Sequence, residues 1–207
     1  MPNQGFSRDT CWLRLTLKNT TETTANWLLQ VDNSLLSEID LFVFNGTDAL
    51  PLDQQRAGLS VPFSERQLAY HAPVFPVTIP AQETRTLLIR ANGTYSLQIP
   101  LTLVPADQFS ERSHAAIMVQ GLFIGGMVIM LLYNLFLYIS IREPAYLFYV
   151  FWTLVITLFQ VILHGFAQRY LWPEWLLMNQ YGMAIILPLI IFLSSRFTLH
   201  FLSLANR

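Results

Sequence analysis

The sequence predicts an antiparallel β-sandwich followed by three membrane-spanning helices, and three observations carry that prediction. Charge is divided unevenly: residues 1–112 hold nineteen charged side chains, eight basic and eleven acidic, while 113–207 hold only six, Arg142, Glu143, Arg169, Glu174, Arg196 and Arg207. In the first part apolar residues alternate with polar ones, the period of a half-buried strand. The second part contains three runs without Asp, Glu, Lys or Arg, at 115–141, 144–168 and 175–195. The expected organisation is a water-facing β-domain over 1–110 and a membrane domain over 111–207, with helices at about 115–140, 146–166 and 178–203.

The strands follow one another at short intervals. In "CWLRLTLKN", Cys11, Leu13, Leu15 and Leu17 fall on one face and Trp12, Arg14, Thr16 and Lys18 on the other. Similar segments occupy 25–32, 38–45, 72–80, 84–91 and 96–105, separated by Asn45-Gly46, Pro51, Gly58 and Asn92-Gly93. Strands at this spacing suggest a sandwich with one modest core. The stretch "DNSLLSEID" admits a short helical turn instead. N-x-T triplets start at Asn19, Asn45 and Asn92. They read as turns, which favour Asn and Gly, in preference to glycan acceptors.

The apolar runs are too long and too uniform for soluble helices, which bury one face and show polar residues on the other. A helix needs about 20 apolar residues to cross a hydrocarbon core of about 30 Å. Arg142, Glu143 and Pro144 then form a short loop of a membrane hairpin. With the β-domain outside, the 142–145 loop and Arg207 lie inside and the 164–176 loop outside. The basic residues agree weakly with this orientation. Tyr138, Tyr146, Tyr149, Tyr170, Trp172 and Trp175 fall near helix ends, where interfacial aromatics belong. Gly121 and Gly125 form a G-x-x-x-G that permits close helix approach, read as intrachain packing ahead of a homodimer seam. Asn134 is expected to face other helices, and Pro188 to kink the third helix or act as a hinge.

Several segments together resemble the bacterial 7TMR-DISM family, the seven-transmembrane receptors with diverse intracellular signalling modules. They are the W-L-R-x-x-L-x-N strand (Trp12, Leu13, Arg14, Leu17, Asn19) and the P-F-x-x-R turn (Pro62, Phe63, Arg66). A glycine-rich first helix with Tyr133-Asn134 follows, then Arg142, Glu143, Tyr146, Leu147 and Tyr149, then Gly165 and "RYLWP". The resemblance covers nearly the whole chain. It implies a jelly-roll-like β-domain similar to carbohydrate-binding modules, placed in the periplasm or outside a multi-pass bacterial inner-membrane protein. It also implies seven membrane helices and a cytoplasmic output such as a diguanylate cyclase or histidine kinase. Three helices and no output domain are present, and "MPNQGFSRDT" lacks the apolar stretch of a secretory signal. The chain therefore reads as truncated at both ends, its first strand missing and its helices part of a larger bundle.

No nucleophile elbow, zincin, P-loop or dinucleotide motif occurs, so the chain reads as no enzyme and as needing no cofactor. The four histidines, His71, His114, His164 and His200, lack metal-ligand spacing, and the single Cys11 excludes an intrachain disulfide. No basic tract suggests nucleic acid. The expected partners are membrane lipid and a small molecule, with a carbohydrate as the leading class. Candidate ligand-binding residues are Trp12, Arg14, Trp27, Arg66, Tyr70 and Tyr95, because sugar sites combine aromatic platforms with orienting polar groups. Against this, Trp12 and Trp27 would serve as core and Arg66 would tie down its turn. The function read from the sequence is the sensory part of a membrane receptor. The alternative is a membrane-anchored binding or scaffold module, or a remnant without output.

Overall fold

The computed structural model describes residues 9–46 and 49–204, without the side chains of 200–204. The chain divides into two compact units. One comprises Met1–Glu111 with Leu163–Gln180, the other Arg112–Ile162 with Tyr181–Arg207. The first unit therefore takes in the connection between the second and third helices, which the sequence alone assigns to the membrane part.

In the first unit the described strands are β1 (Cys11–Lys18), β2 (Ala25–Val31), β3 (Glu38–Asn45), β4 (Asp53–Ala57), β5 (Val74–Ile79), β6 (Thr84–Asn92) and β7 (Leu101–Pro105). They make two antiparallel sheets, ordered β1-β6-β3-β4 and β5-β2-β7. The alternation of β1 sets its register: Leu13 lies opposite Ile89 and Leu15 opposite Leu87, so apolar positions meet on one face. That face joins Leu29, Val31, Ile39, Leu41, Phe75, Val77 and Ile79 in a single core. Each such side chain contributes about 1.5–3 kcal/mol when fully buried. Trp27 packs against this core, as its core reading expects.

Two local features differ from the sequence pattern. β4 has the sequence "DQQRA", which shows no apolar alternation, and it forms because it pairs with β3 at the edge of the larger sheet. The last strand begins at Leu101 instead of 96, after Pro100, which offers no N–H to a ladder. "DNSLLSEID" enters β3 through a turn in which Asn33 Oδ1 accepts the Leu35 N–H at 3.0 Å. Asn19 is buried and gives its amide to the carbonyls of Thr23, Ile79 and Pro80 at 2.8, 3.0 and 3.0 Å, so its role is to lock a turn.

Three helices follow: α1 (Ala106–Ile141), α2 (Pro144–Leu163) and α3 (Leu176–Leu204). Each is long and apolar enough to cross a membrane. α1 starts about ten residues before the apolar run, because the polar stretch after Ala106 continues the same helix. The α1–α2 turn is held by Arg142, which has φ +57° and donates its N–H to the Tyr138 carbonyl at 2.7 Å. Pro144 then supplies the first residue of α2, where a missing N–H costs nothing.

Within the second unit, α2 and α3 run antiparallel. Tyr149 and Phe197 have ring centroids 5.9 Å apart, the Arg196 guanidinium lies 5.9 Å from the Phe148 ring, and Gly182 abuts Ile162. Pro188 lies inside α3. Asn134 is buried and donates its amide to the Met130 carbonyl at 2.8 Å. A Cβ added at Gly121 or Gly125 would meet nothing within 4 Å, so that glycine face is open among the described residues.

Candidate functional site

Sequence candidates Arg66, Tyr70 and Tyr95 come together where the β-sandwich receives the segment Leu163–Gln180. That segment leaves α2 through Gly165 at φ +76°, a left-handed helix stop. A π-helical turn, Ala167–Leu171, follows and carries Gln168 and Arg169. Such turns are energetically poor and concentrate at functional positions. Trp172, Pro173 and Glu174 lead into α3.

Gln168 is the centre of the seam, and only 2 % of it is exposed. Its Nε2 donates to the Gly58 carbonyl at 3.0 Å and to the Val61 carbonyl at 3.1 Å. Both acceptors are carbonyls, which fixes the amide orientation and leaves Oε1 to accept from Arg66. Arg66 also donates to the carbonyls of Tyr70 at 3.2 Å and Gly58 at 3.3 Å, and its guanidinium lies 5.0 Å from the Phe63 ring. This is a half-buried cation held by neutral acceptors, and loss of solvation lowers its pKa to about 10. Its Nε has no hydrogen-bond partner. The P-F-x-x-R motif thus does more than close its own turn, because its arginine is the donor that receives the helix connection.

An aromatic stack lies beside this polar centre. His71 stacks on Phe166 at 4.6 Å and contacts Tyr70 at 4.1 Å, Phe166 stacks on Tyr170 at 6.2 Å, and Tyr70 meets Phe109 edge-on at 5.0 Å. His71 Nδ1 lies 2.9 Å from the His164 carbonyl. A carbonyl only accepts, so Nδ1 carries the proton. Burial pushes the imidazole pKa down to about 4, and the His164 bond opposes the shift only in part. Burial also raises the Tyr70 pKa.

Further contacts fix the segment along its length. Phe63 N–H donates to the Pro173 carbonyl at 3.2 Å and Ser64 N–H to Glu174 Oε1 at 3.3 Å. Gln180 Nε2 donates to Ser60 Oγ at 2.8 Å, and Tyr95 Oη–H donates to the Gln180 carbonyl at 2.8 Å. Gln168, Glu174 and Gln180 are ordinary polar residues in the sequence. Only Gly165 and "RYLWP" hint that this loop has a fixed conformation.

The remaining candidates lie elsewhere. Trp12 and Arg14 are on the outer face of the larger sheet, where Trp12 is 53 % exposed and stacks on Phe42 with centroids 6.2 Å apart. The cross-strand row beginning at Trp12 continues through Arg90, Asp40 and Arg56. Asp40 is buried between the two arginines, with Oδ1 3.1 Å from Arg56 Nε and Oδ2 2.6 Å from Arg90 Nε. Glu38 joins the same network. Hydrogen bonds that Arg56 donates to Glu38 and Asp40 raise its pKa. Trp27 lies in the smaller sheet. Among the described residues, no group of three or more His, Cys, Asp or Glu side chains is placed to hold a metal ion.

Comparison with known families matches both parts of the chain. A family model described as 7TMR-DISM extracellular 2 matches residues 1–105, and one described as 7TM diverse intracellular signalling matches residues 116–207. No curated protein matches the chain.

Proposed function

The chain belongs to the 7TMR-DISM receptor family, a family of multi-pass membrane proteins, and from that premise we propose that it receives a small extracytoplasmic ligand and passes the signal through its helices to a cytoplasmic output. The β-domain lies in the periplasm of a bacterial inner-membrane protein, the Arg142–Glu143 turn on the cytoplasmic side and the 163–180 connection outside. The observation that supports transmission most directly is the burial of Gln168 against the sandwich carbonyls of Gly58 and Val61. Its segment is continuous with α2 at one end and α3 at the other. A ligand that changes how the sandwich holds this segment biases the arrangement of both helices, provided it binds the two arrangements with different affinity.

A carbohydrate is the ligand class we assign to the outer sheet face. The exposed Trp12 ring, stacked on Phe42, offers an apolar platform for a sugar ring. Arg14 and the Glu38–Arg90–Asp40–Arg56 row lie beside it with charged groups that can orient hydroxyls.

The test uses the chain in lipid nanodiscs with a nitroxide pair on α2 and α3. Mono- and oligosaccharides are screened for binding through Trp12 fluorescence and for a change in the spin–spin distance. The reading expects a saccharide that does both, with the distance change lost in Gln168→Leu. Binding without any distance change, or no saccharide binding to wild type that Trp12→Ala abolishes, overturns it.

A further inference from the structure

The connection between α2 and α3 carries a cation that the seam leaves unmatched. Arg169 follows Gln168 on the π-helical turn and is half-buried. Among the described residues its guanidinium enters none of the ion pairs. It lies 5.0 Å from the Tyr170 ring. The carboxylates along this side of the seam have other partners. Glu174 Oε1 accepts the Ser64 N–H at 3.3 Å, and Asp32 accepts from Gln30 and, at 3.4 Å, from Thr102. A guanidinium laid over a ring has one face covered while its N–H donors still point outward in its own plane. Those donors match an oxyanion in pairs, a phosphate above all.

Depth says where that oxyanion comes from. α2 and α3 are each long and apolar enough to cross a membrane, one ending at Leu163 and the other starting at Leu176. Arg169 is six residues beyond Leu163, in a stretch of turns and helix and not of extended chain. At about 1.5 Å per residue it stands roughly 9 Å past the end of α2 at most. The polar layer on each side of the hydrocarbon is about 5–8 Å thick, and a flexible arginine stem reaches across part of it. The guanidinium is therefore within reach of phospholipid phosphates. Its surroundings suit that depth. Tyr170 is 62 % exposed, Leu171 54 % and Trp175 60 %, so the first unit leaves these side chains uncovered. Tyr and Trp rings settle at headgroup level.

We propose that Arg169 binds the phosphate of a phospholipid headgroup in the leaflet where α2 ends and α3 begins, with Tyr170 stacked on the guanidinium and Leu171 and Trp175 anchored among the neighbouring lipids. A soluble anion would have to find an open position with a single cation. A lipid phosphate is held beside it by the membrane itself, at high effective concentration. Because Arg169 adjoins Gln168, a bound headgroup also restrains the turn that carries the polar centre of the seam.

The experiment places the chain in nanodiscs of digalactosyldiacylglycerol, which has no phosphate, with and without a minor fraction of phosphatidylglycerol. Native mass spectrometry counts the phosphatidylglycerol retained on the released protein, and hydrogen exchange follows the Trp172 amide. Wild type is expected to retain phosphatidylglycerol, and Arg169→Gln to retain roughly tenfold less, the worth of one charge-assisted hydrogen bond. Arg169→Lys keeps the charge, loses the planar fork and should fall between the two. Neither variant removes an ion pair among the described residues, and an unchanged circular dichroism spectrum verifies the fold. Phosphatidylglycerol should slow Trp172 exchange in wild type, and inorganic phosphate added to the pure glycolipid discs should not. Equal retention by wild type and Arg169→Gln overturns the site. Slowing by inorganic phosphate alone makes it a site for soluble anions and overturns the lipid assignment. Exchange that ignores phosphatidylglycerol overturns the restraint on the turn. The site requires only that α2 and α3 span the membrane, and none of these results bears on saccharide binding at Trp12, so the two readings fail separately.

Discussion

Gly165 lies so close to His71 that a Cβ at that position would stand 2.1 Å from the His71 carbonyl oxygen and 2.7 Å from Ser34 Oγ. The residue also has φ +76°, a conformation that costs a side-chain-bearing residue about 1–2 kcal/mol before any clash. Backbone leaves no slack here, because the nearest neighbour is a carbonyl of the sandwich itself. Gly165→Ala is therefore expected to undock the 163–180 segment. Hydrogen exchange of the Arg169 and Trp172 amides, which are bonded to the Gly165 and Ala167 carbonyls, should accelerate by roughly tenfold or more. Unchanged exchange would show that the close approach is not what holds the connection.

Gln168 carries the polar half of the same seam. Gln168→Leu leaves the Val61 carbonyl without its side-chain donor, leaves the Gly58 carbonyl with Arg66 as its one side-chain donor, and takes an acceptor from the half-buried Arg66 guanidinium. Each buried group left unpaired costs about 1–3 kcal/mol. The expected loss is about 3 kcal/mol, a fall in Tm of roughly 10–20 °C for a unit of this size. Gln168→Glu separates charge from shape, since it pairs with Arg66 while bringing a carboxylate against two carbonyls. It should be at least as damaging as the leucine, and a Tm above wild type would refute the role assigned to the two carbonyl bonds.

His71 makes the seam sensitive to acid. Its pKa falls from 6.5 to about 4 on burial, so the folded state holds it neutral while the undocked chain binds a proton first. The docked state is fully favoured above pH 6.5 and loses that advantage as pH falls toward about 4. The neighbouring charges are Arg169, which lowers the His71 pKa, and Asp32, which raises it; His164 acts in both directions. His71→Phe preserves the stack on Phe166 and removes the titration. Between pH 6.5 and 4, wild type should show rising hydrogen exchange across 163–172, and the phenylalanine variant a flatter profile.

Much of the fold is legible because burial imposes a period. Leu13, Leu15 and Leu17 announce β1, and the uncharged runs announce α1, α2 and α3. β4 is silent because an edge strand of "DQQRA" is specified by its partner β3 and not by its own alternation. The candidate site is half legible. Arg66, Tyr70 and Tyr95 stand out as residue types, yet what brings them together is a loop whose polar members bond to backbone carbonyls. Backbone acceptors leave no trace in sequence, so neither Gln168 nor the assignment of 163–180 to the β-unit could be read from residue types alone.

Asn179 offers a test in the stabilising direction. It sits in the first turn of α3, is 4 % exposed, and has neither amide atom hydrogen-bonded. Its backbone N–H is satisfied by the Trp175 carbonyl at 3.1 Å, so the helix does not depend on the side chain. Two buried orphans penalise the folded state, whereas an apolar residue of similar size removes the penalty and has higher helix propensity. Asn179→Leu is expected to stabilise the unit by about 1–2 kcal/mol and raise Tm by roughly 5 °C or more. Asn179→Ala removes the same polar atoms but leaves a void, and should gain less. A fall in Tm for both variants would mean that the amide is bonded in the native protein, and the orphan assignment would be wrong.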